Sequence, residues 1–103
     1  GGALTVKALL DDTVQVVDLY STTPAIEENQ LVVLEDPKNM ILAQQVLPII
    51  NTSRVPGSAA EVLNRVSAKL TTADLRTLND RVSGTSKQEP AQAAAAWLNE
   101  HGF

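Results

Sequence analysis

The chain has 103 residues, a hydrophobic content of 44% and a formal net charge of −4 at pH 7. This length fits one domain or part of one, and the apolar content is too high for an intrinsically disordered chain. The acidic balance, the scattered basic residues and the absence of cysteine argue against a nucleic-acid surface, disulfides and thiolate metal sites.

The first thirty residues combine short helix and strand signals. Thr5 can cap a short helix with its apolar residues on one face. The run Val14–Leu19 is rich in β-branched residues and predicts a strand. A second short helix is expected over Pro24–Asn29, because proline is favoured at the first helical position.

Two further strands are predicted in the middle of the chain. Leu31–Leu34 is a continuous apolar run, as expected of a strand that is buried on both faces. A turn cluster follows at 35–39, and Val46–Ile50 is predicted to be a strand. Because Pro48 has no N–H to donate, either this is an edge strand or the proline lies at a break in it. The succession of strands and helices predicts an α/β fold.

Residues 56–102 are predicted to form three helices. The first is expected to begin at Ser58, which stands three residues before Glu61 in the spacing of a capping box. The other two are expected to run from the Thr71 cap to Gly84 and from Pro90 to Gly102.

Groups able to carry catalysis or hold a metal are sparse. His101 is the only histidine and lies in the last turn of a predicted helix, where a surface or capping role is expected. Ser21 has no histidine near it in sequence, and the acidic pairs are typical of solvated turns and helices. No cluster of residues has the spacing of metal ligands. The sequence therefore predicts neither an enzyme nor a cofactor.

Tyr20 is the only tyrosine, and it ends the apolar segment that precedes Pro24. An aromatic residue placed where a strand gives way to a turn is well sited to face a ligand. The residues alone leave two interpretations open. Tyr20 is either an ordinary half-buried strand tyrosine or a cation–π face for an onium ligand.

Three stretches together resemble a known family: Val14–Thr22, Leu31–Lys38 and the helical residues from Val62 to Asn79. They are similar to the C-terminal part of the osmoprotectant-binding proteins of ABC importers, which capture glycine betaine, choline, carnitine or proline betaine. The resemblance covers nearly the whole chain, and the first two stretches are more specific than the helices.

The resemblance implies that the α/β chain is part of a two-lobed, type II periplasmic-binding-protein fold. Residues 1–30 would belong to one lobe, residues 31–39 would cross the hinge, and residues 40–103, with the C-terminal helices, would belong to the other lobe. The opening half of the first lobe is then expected to lie outside this chain.

The resemblance also implies a ligand site. Tyr20 matches a tyrosine of the family's aromatic cage, whereas a second cage tyrosine of many members is matched here by Gln44. Glutamine can donate or accept hydrogen bonds, which would suit a more polar solute. We therefore expect Tyr20 and Gln44 to bind the ligand.

The function implied is the capture of a quaternary-ammonium osmolyte such as glycine betaine and its delivery to an ABC transporter permease. Such a protein would be extracytoplasmic, either periplasmic or lipid-anchored at the outer face of a bacterial membrane. The main alternative is a helical interaction module without a small-molecule site, in which residues 56–102 dock on a partner and Tyr20 is structural. An enzyme is the third possibility.

Two consequences follow if the chain is part of such a receptor. Micromolar binding needs about −8 kcal/mol, whereas one cation–π contact supplies about 0.5–2 kcal/mol, so residues 1–103 alone are expected to bind betaine negligibly. Apolar edges such as Leu31–Leu34 are expected to be uncovered and to promote dimerisation or strand exchange.

Overall fold

The computed structural model describes residues 2–103, and these contain five α-helices. The longest has 13 residues, and no helix in this range has the length and apolar character of a membrane span. The helices are α1 (Ala3–Leu10), α2 (Ala25–Glu28), α3 (Gly57–Lys69), α4 (Thr72–Ser83) and α5 (Pro90–Glu100).

The three predicted strands do not form, and residues 2–103 contain no β-strand. The runs Val14–Leu19, Leu31–Leu34 and Val46–Ile50 have no regular secondary structure. A strand exists only when its N–H and C=O groups pair with a neighbouring strand, and nothing in the described part of the chain supplies that neighbour. The predicted α/β architecture is therefore not present in these residues.

The two predicted short helices form, but their predicted starts are wrong. Gly2 is the N-cap of α1, so Thr5 lies inside the helix, and Pro24 is the N-cap of α2 and not its first residue. α1 ends where Lys7 forms an ion pair with Asp11, one turn further along the helix. Asp12 then takes the left-handed conformation, with a φ of 58°. α2 ends at Glu28, and two residues later Gln30 has a φ of 53°, followed by a hydrogen bond of 2.9 Å from Leu31 N–H to the Ile26 carbonyl. Both ends follow the left-handed pattern that terminates many helices.

The three C-terminal helices are also confirmed, with a correction at the start of the first. α3 begins at Gly57 after Pro56, without a side-chain cap. Pro56 has a φ of −66°, close to the helical value, and so the helix starts ahead of Ser58. The capping box predicted for Ser58 and Glu61 is therefore wrong.

The ends of α4 and α5 follow the sequence closely. Thr71 and Asp74 form a capping box at the start of α4, and Pro90 occupies the first turn of α5. α4 ends before Gly84, where a Cβ atom would collide with the side chain and carbonyl of Asp80. Gly84 is therefore required by close approach and not by a left-handed φ.

The buried part of the molecule is small. α5 packs on α4, and Ala93 and Trp97, which are four residues apart on one face of α5, are buried there. His101 continues that face and stacks on the Trp97 ring, with 4.1 Å between the ring centroids. Ile26 of α2 is the other buried hydrophobic residue of the described chain.

The middle of the chain is extended and uncovered. In the apolar extended segment, defined as residues 31–49, Val32 is 84% exposed, Leu42 83% and Ile49 97%. Its one fixed feature is a turn in which Asp36 accepts a hydrogen bond of 2.9 Å from Ile41 N–H. The radius of gyration is 16.8 Å, compared with about 13 Å for a compact domain of this length. The molecule is therefore open.

Candidate ligand-binding cleft

A tight turn carries Tyr20. The N–H of Thr23 donates a hydrogen bond of 2.9 Å to the Tyr20 carbonyl, which closes the turn over Ser21 and Thr22. The Tyr20 side chain is 67% exposed. The ring therefore extends from the turn into solvent and is not packed in a core.

Two side chains of α4 hold the same turn. Arg76 Nη1 donates to the Ser21 carbonyl at 3.0 Å, and Asn79 Nδ2 donates to the Thr22 carbonyl at 3.0 Å. Arg76 Nε also lies 2.8 Å from the Glu27 carboxylate of α2. Its N–H does not point at that oxygen, so the contact is an ion pair and not an aligned hydrogen bond. These contacts join the turn, α2 and α4.

The turn forms one wall of a cleft of about 540 Å³. The apolar extended segment contributes residues 44–46, and the end of α3 and the start of α4 supply the remainder. This volume is in the range of small-molecule sites. The lining residues from the helical side are Ser67, Leu70, Thr71, Thr72 and Leu75.

The cleft brings together the two residues predicted to bind ligand, since Tyr20 and Gln44 both line it. The alternative of a helical interaction module requires Tyr20 to be a structural residue in a packed core. Its exposure and its place beside a cleft disagree with that requirement.

The described lining of the cleft carries no formally charged side chain. It offers hydroxyl and amide groups together with one aromatic ring and three aliphatic side chains, Val46, Leu70 and Leu75. The described walls can therefore donate and accept hydrogen bonds without imposing a net charge. Such a lining suits a ligand whose own charges are balanced or are spread over an onium group.

Asp74 is a carboxyl group next to the cleft residues Thr71 and Thr72, and its pKa is lowered. The Thr71 hydroxyl and then the Thr71 N–H donate to Asp74, at 2.6 and 2.8 Å, and lower the pKa of Asp74 below its ordinary value of 3.8. The Trp97 indole N–H lowers this pKa further, although it is not aligned as a hydrogen bond. Asp74 is therefore a helix-capping carboxylate.

The remaining sequence candidates lie outside the cleft or carry no reactive partner. His101 Nδ1 is 2.8 Å from the Trp97 carbonyl, and its Nε2 is 3.9 Å from Asp74. Ser21 lines the cleft, and the described lining contains no histidine or carboxylate to activate its hydroxyl. Residues 2–103 hold no group of three or more His, Cys, Asp or Glu residues that could bind a metal.

A second cavity, of about 510 Å³, lies between α1 and α2 and shares no lining residue with the cleft. Its described walls are mainly aliphatic, and their charged residues are Lys7, Asp11 and Glu28. They include no aromatic ring. The cleft at Tyr20 is therefore the better candidate for an onium ligand.

Sequence reasoning did not identify Arg76 and Asn79. Each donates to a carbonyl more than fifty residues earlier in the chain. A periodic pattern describes one helix and gives no information about such a distant partner.

A family model describing the substrate binding domain of ABC-type glycine betaine transport systems matches residues 2–100. The match covers nearly the whole chain. This chain belongs to that family. The family resemblance inferred mainly from Val14–Thr22 and Leu31–Lys38 is thereby confirmed. No curated protein and no solved structure matches the chain.

Membership of the glycine betaine substrate-binding family fixes the broad role. The family is one of periplasmic-binding proteins that bind a small molecule, work with ABC permeases and are not enzymes. The substrate-binding proteins of ABC importers are extracytoplasmic or lipid-anchored. This chain therefore has a substrate-binding role in an ABC transporter.

Proposed function

We propose that this chain forms one part of the ligand site in a receptor for a quaternary-ammonium osmolyte such as glycine betaine. The observation that carries the proposal is the exposed Tyr20 ring, which shares a cleft of about 540 Å³ with Gln44. The family membership supports a substrate-binding role for that cleft.

The chemistry of the lining supports an onium ligand. The face of the Tyr20 ring attracts a trimethylammonium group electrostatically, and methyl groups pack well on Val46, Leu70 and Leu75. The hydroxyl and amide groups of the lining can bind the polar end of the same ligand by hydrogen bonds. No charged side chain of the described lining competes for the ligand's charge.

We further propose that other polypeptide completes the site. Tyr20 is the one aromatic residue of the described lining, and a single cation–π contact supplies only about 0.5–2 kcal/mol. Micromolar affinity needs about −8 kcal/mol. The exposed apolar extended segment also lacks the cover that a complete receptor would give it. In that receptor, residues 1–30 and 40–103 belong to two lobes, with residues 31–39 crossing between them.

The proposed receptor acts outside the cytoplasm and passes its osmolyte to an ABC permease. The family's role supports this assignment. Transport of this kind needs capture and release and involves no covalent change of the solute. Lobe closure around the ligand is the conformational change that the permease would recognise.

Calorimetry with glycine betaine tests the proposal. The full-length receptor that contains this chain is expected to bind betaine, and Tyr20→Ala to weaken that binding roughly 2- to 30-fold, the equivalent of one cation–π contact. Tyr20→Phe is the matched control, because it keeps the ring and loses only the hydroxyl. Residues 1–103 alone are expected to bind negligibly. Micromolar binding by this chain alone, or full affinity in Tyr20→Ala, would contradict the proposal.

A further inference from the structure

We propose that Arg76 and Asn79 are positioning residues that fix the Tyr20 ring in the cleft. The two side chains act on the backbone of the turn that carries the ring, and neither of them lines the cleft. The consequence for ligand affinity rests on the proposed function, whereas the consequence for the turn does not.

The Tyr20 ring has little support from packing. Its side chain is 67% exposed, so few neighbouring atoms restrict where it lies. The direction of an exposed side chain is set mainly by its own backbone and rotamer. Whatever fixes the backbone of the turn therefore fixes the position from which the ring meets a ligand.

Three successive carbonyls of the turn are each bound by a different donor. The Tyr20 carbonyl accepts from Thr23 N–H within the turn. The next two carbonyls accept from Arg76 Nη1 and Asn79 Nδ2, each at 3.0 Å. Two donors on one rigid helix, acting on neighbouring peptide groups, restrain both the place and the tilt of the turn.

The two donors are themselves well placed for this role. Arg76 and Asn79 are three residues apart on α4 and so lie on the same helix face. The Arg76 side chain is 22% exposed, and its charge is paired with Glu27. A hydrogen bond from a charged donor is stronger than one between neutral groups. Arg76 is therefore expected to contribute the larger share of the restraint.

The contacts also join parts of the chain that the domain prediction assigns to different lobes. The turn and Glu27 fall within residues 1–30, whereas α4 falls within residues 40–103. In the proposed two-lobed receptor, Arg76 and Asn79 tie the two walls of the cleft together beside the Tyr20 ring. A ligand would then meet an aromatic ring that is already in place, which reduces the entropy lost on binding.

A fluorine label tests the effect on the turn directly. Tyr20 is the only tyrosine, so incorporation of 3-fluorotyrosine gives a single ¹⁹F resonance that reports on this ring alone. In Arg76→Gln and in Asn79→Ala, the resonance is expected to move toward its position in the urea-unfolded chain. The spectrum is recorded on the 103-residue chain, with helix content checked by circular dichroism.

Matched variants separate this role from a general loss of stability. Arg81 lies on the same helix, is 27% exposed and pairs with Glu100, but makes no contact with the turn. Arg81→Gln is therefore expected to leave the resonance unchanged. Glu27→Gln removes the ion pair but keeps both donors, and should move the resonance less than Arg76→Gln does. An unchanged resonance in Asn79→Ala, with the helices intact, would overturn the proposal even if Arg76→Gln fails to fold.

Betaine affinity gives the second measurement. If the turn keeps the competent position only a third to a tenth of the time in Arg76→Gln, the dissociation constant of the full-length receptor rises roughly 3- to 10-fold. A displaced resonance with unchanged affinity would overturn the positioning role. A wild-type receptor that does not bind betaine would refute the proposed function alone, because the fluorine experiment still decides whether the turn is held.

Discussion

Gln44 shares the cleft with Tyr20 but offers a different chemistry. Its amide can donate and accept hydrogen bonds, yet it has no ring face to attract a cation. By resemblance, many members of the family have a tyrosine at this position. A receptor with glutamine there loses one aromatic wall and gains a polar group that can select among solutes.

Gln44→Tyr is expected to strengthen betaine binding by the full-length receptor roughly 2- to 30-fold, the equivalent of one added cation–π contact. Gln44→Leu is the control, because leucine fills the space without a ring face and should give no such gain. Calorimetry on both variants measures the difference. A weaker complex in Gln44→Tyr would instead assign a ligand hydrogen bond to the glutamine amide.

The helices could be predicted from the sequence, because their signals are local. The Thr71 cap lies three residues from its partner Asp74, and Pro90 marks the start of α5 within one turn. The apolar run Leu31–Leu34 predicts only that this segment would be a buried strand if a neighbouring strand paired with it. Its side chains cannot supply that neighbour, and the run remains unpaired.

The candidate site also contains residues that could be predicted from the sequence and residues that could not. Tyr20 and Gln44 could be proposed because the resemblance covers their segments, and both line the cleft. The residues that hold the turn, Arg76 and Asn79, could not, because their partners are distant in sequence. The helical wall at Ser67 and the start of α4 likewise depends on how α3 and α4 meet.

The cap of α4 gives an expected pH dependence. Bonds from Thr71 lower the pKa of Asp74 from 3.8, so the folded state favours the ionised carboxyl. The stabilisation is fully present above that value and is lost as the pH falls below it, through the lowered pKa. Measured by chemical unfolding, the stability difference between the wild type and Asp74→Asn is expected to shrink as the pH falls from 5 to 2.

Thr71→Val provides the control for this pH dependence, because it keeps the shape of the side chain and removes the hydroxyl that contributes most to the shift. The pH-dependent difference caused by Asp74→Asn should be smaller in that background. A difference of the same size would show that the Thr71 hydroxyl does not cause the shift.

At the scale of the molecule, the chain leaves much apolar surface in water. The radius of gyration of 16.8 Å and the exposed residues of the apolar extended segment describe a structure without a closed core. Contiguous exposed apolar surface promotes association, and unpaired extended backbone is a template for another chain. In the proposed receptor, polypeptide outside residues 1–103 would cover this surface.

Self-association of the isolated chain is the expected result. Light scattering should show a mean mass that rises with concentration, and Val32→Lys should reduce the rise by placing a charge in the apolar extended segment. Leu4→Lys is the matched control, since Leu4 and Val32 are both 84% exposed but Leu4 lies on α1. A monomer at all concentrations, or equal effects of the two variants, would contradict this expectation.

The burial of Trp97 has a practical consequence for spectroscopy. This indole is the only tryptophan, and it is enclosed between α5 and α4 with the His101 ring stacked on it. Its ultraviolet emission will respond first to the docking of α5 and to unfolding. A shift in Trp97 emission on adding solute would therefore signal a rearrangement of the helices. Direct contact with the solute must be measured at the Tyr20 side chain, which lines the cleft.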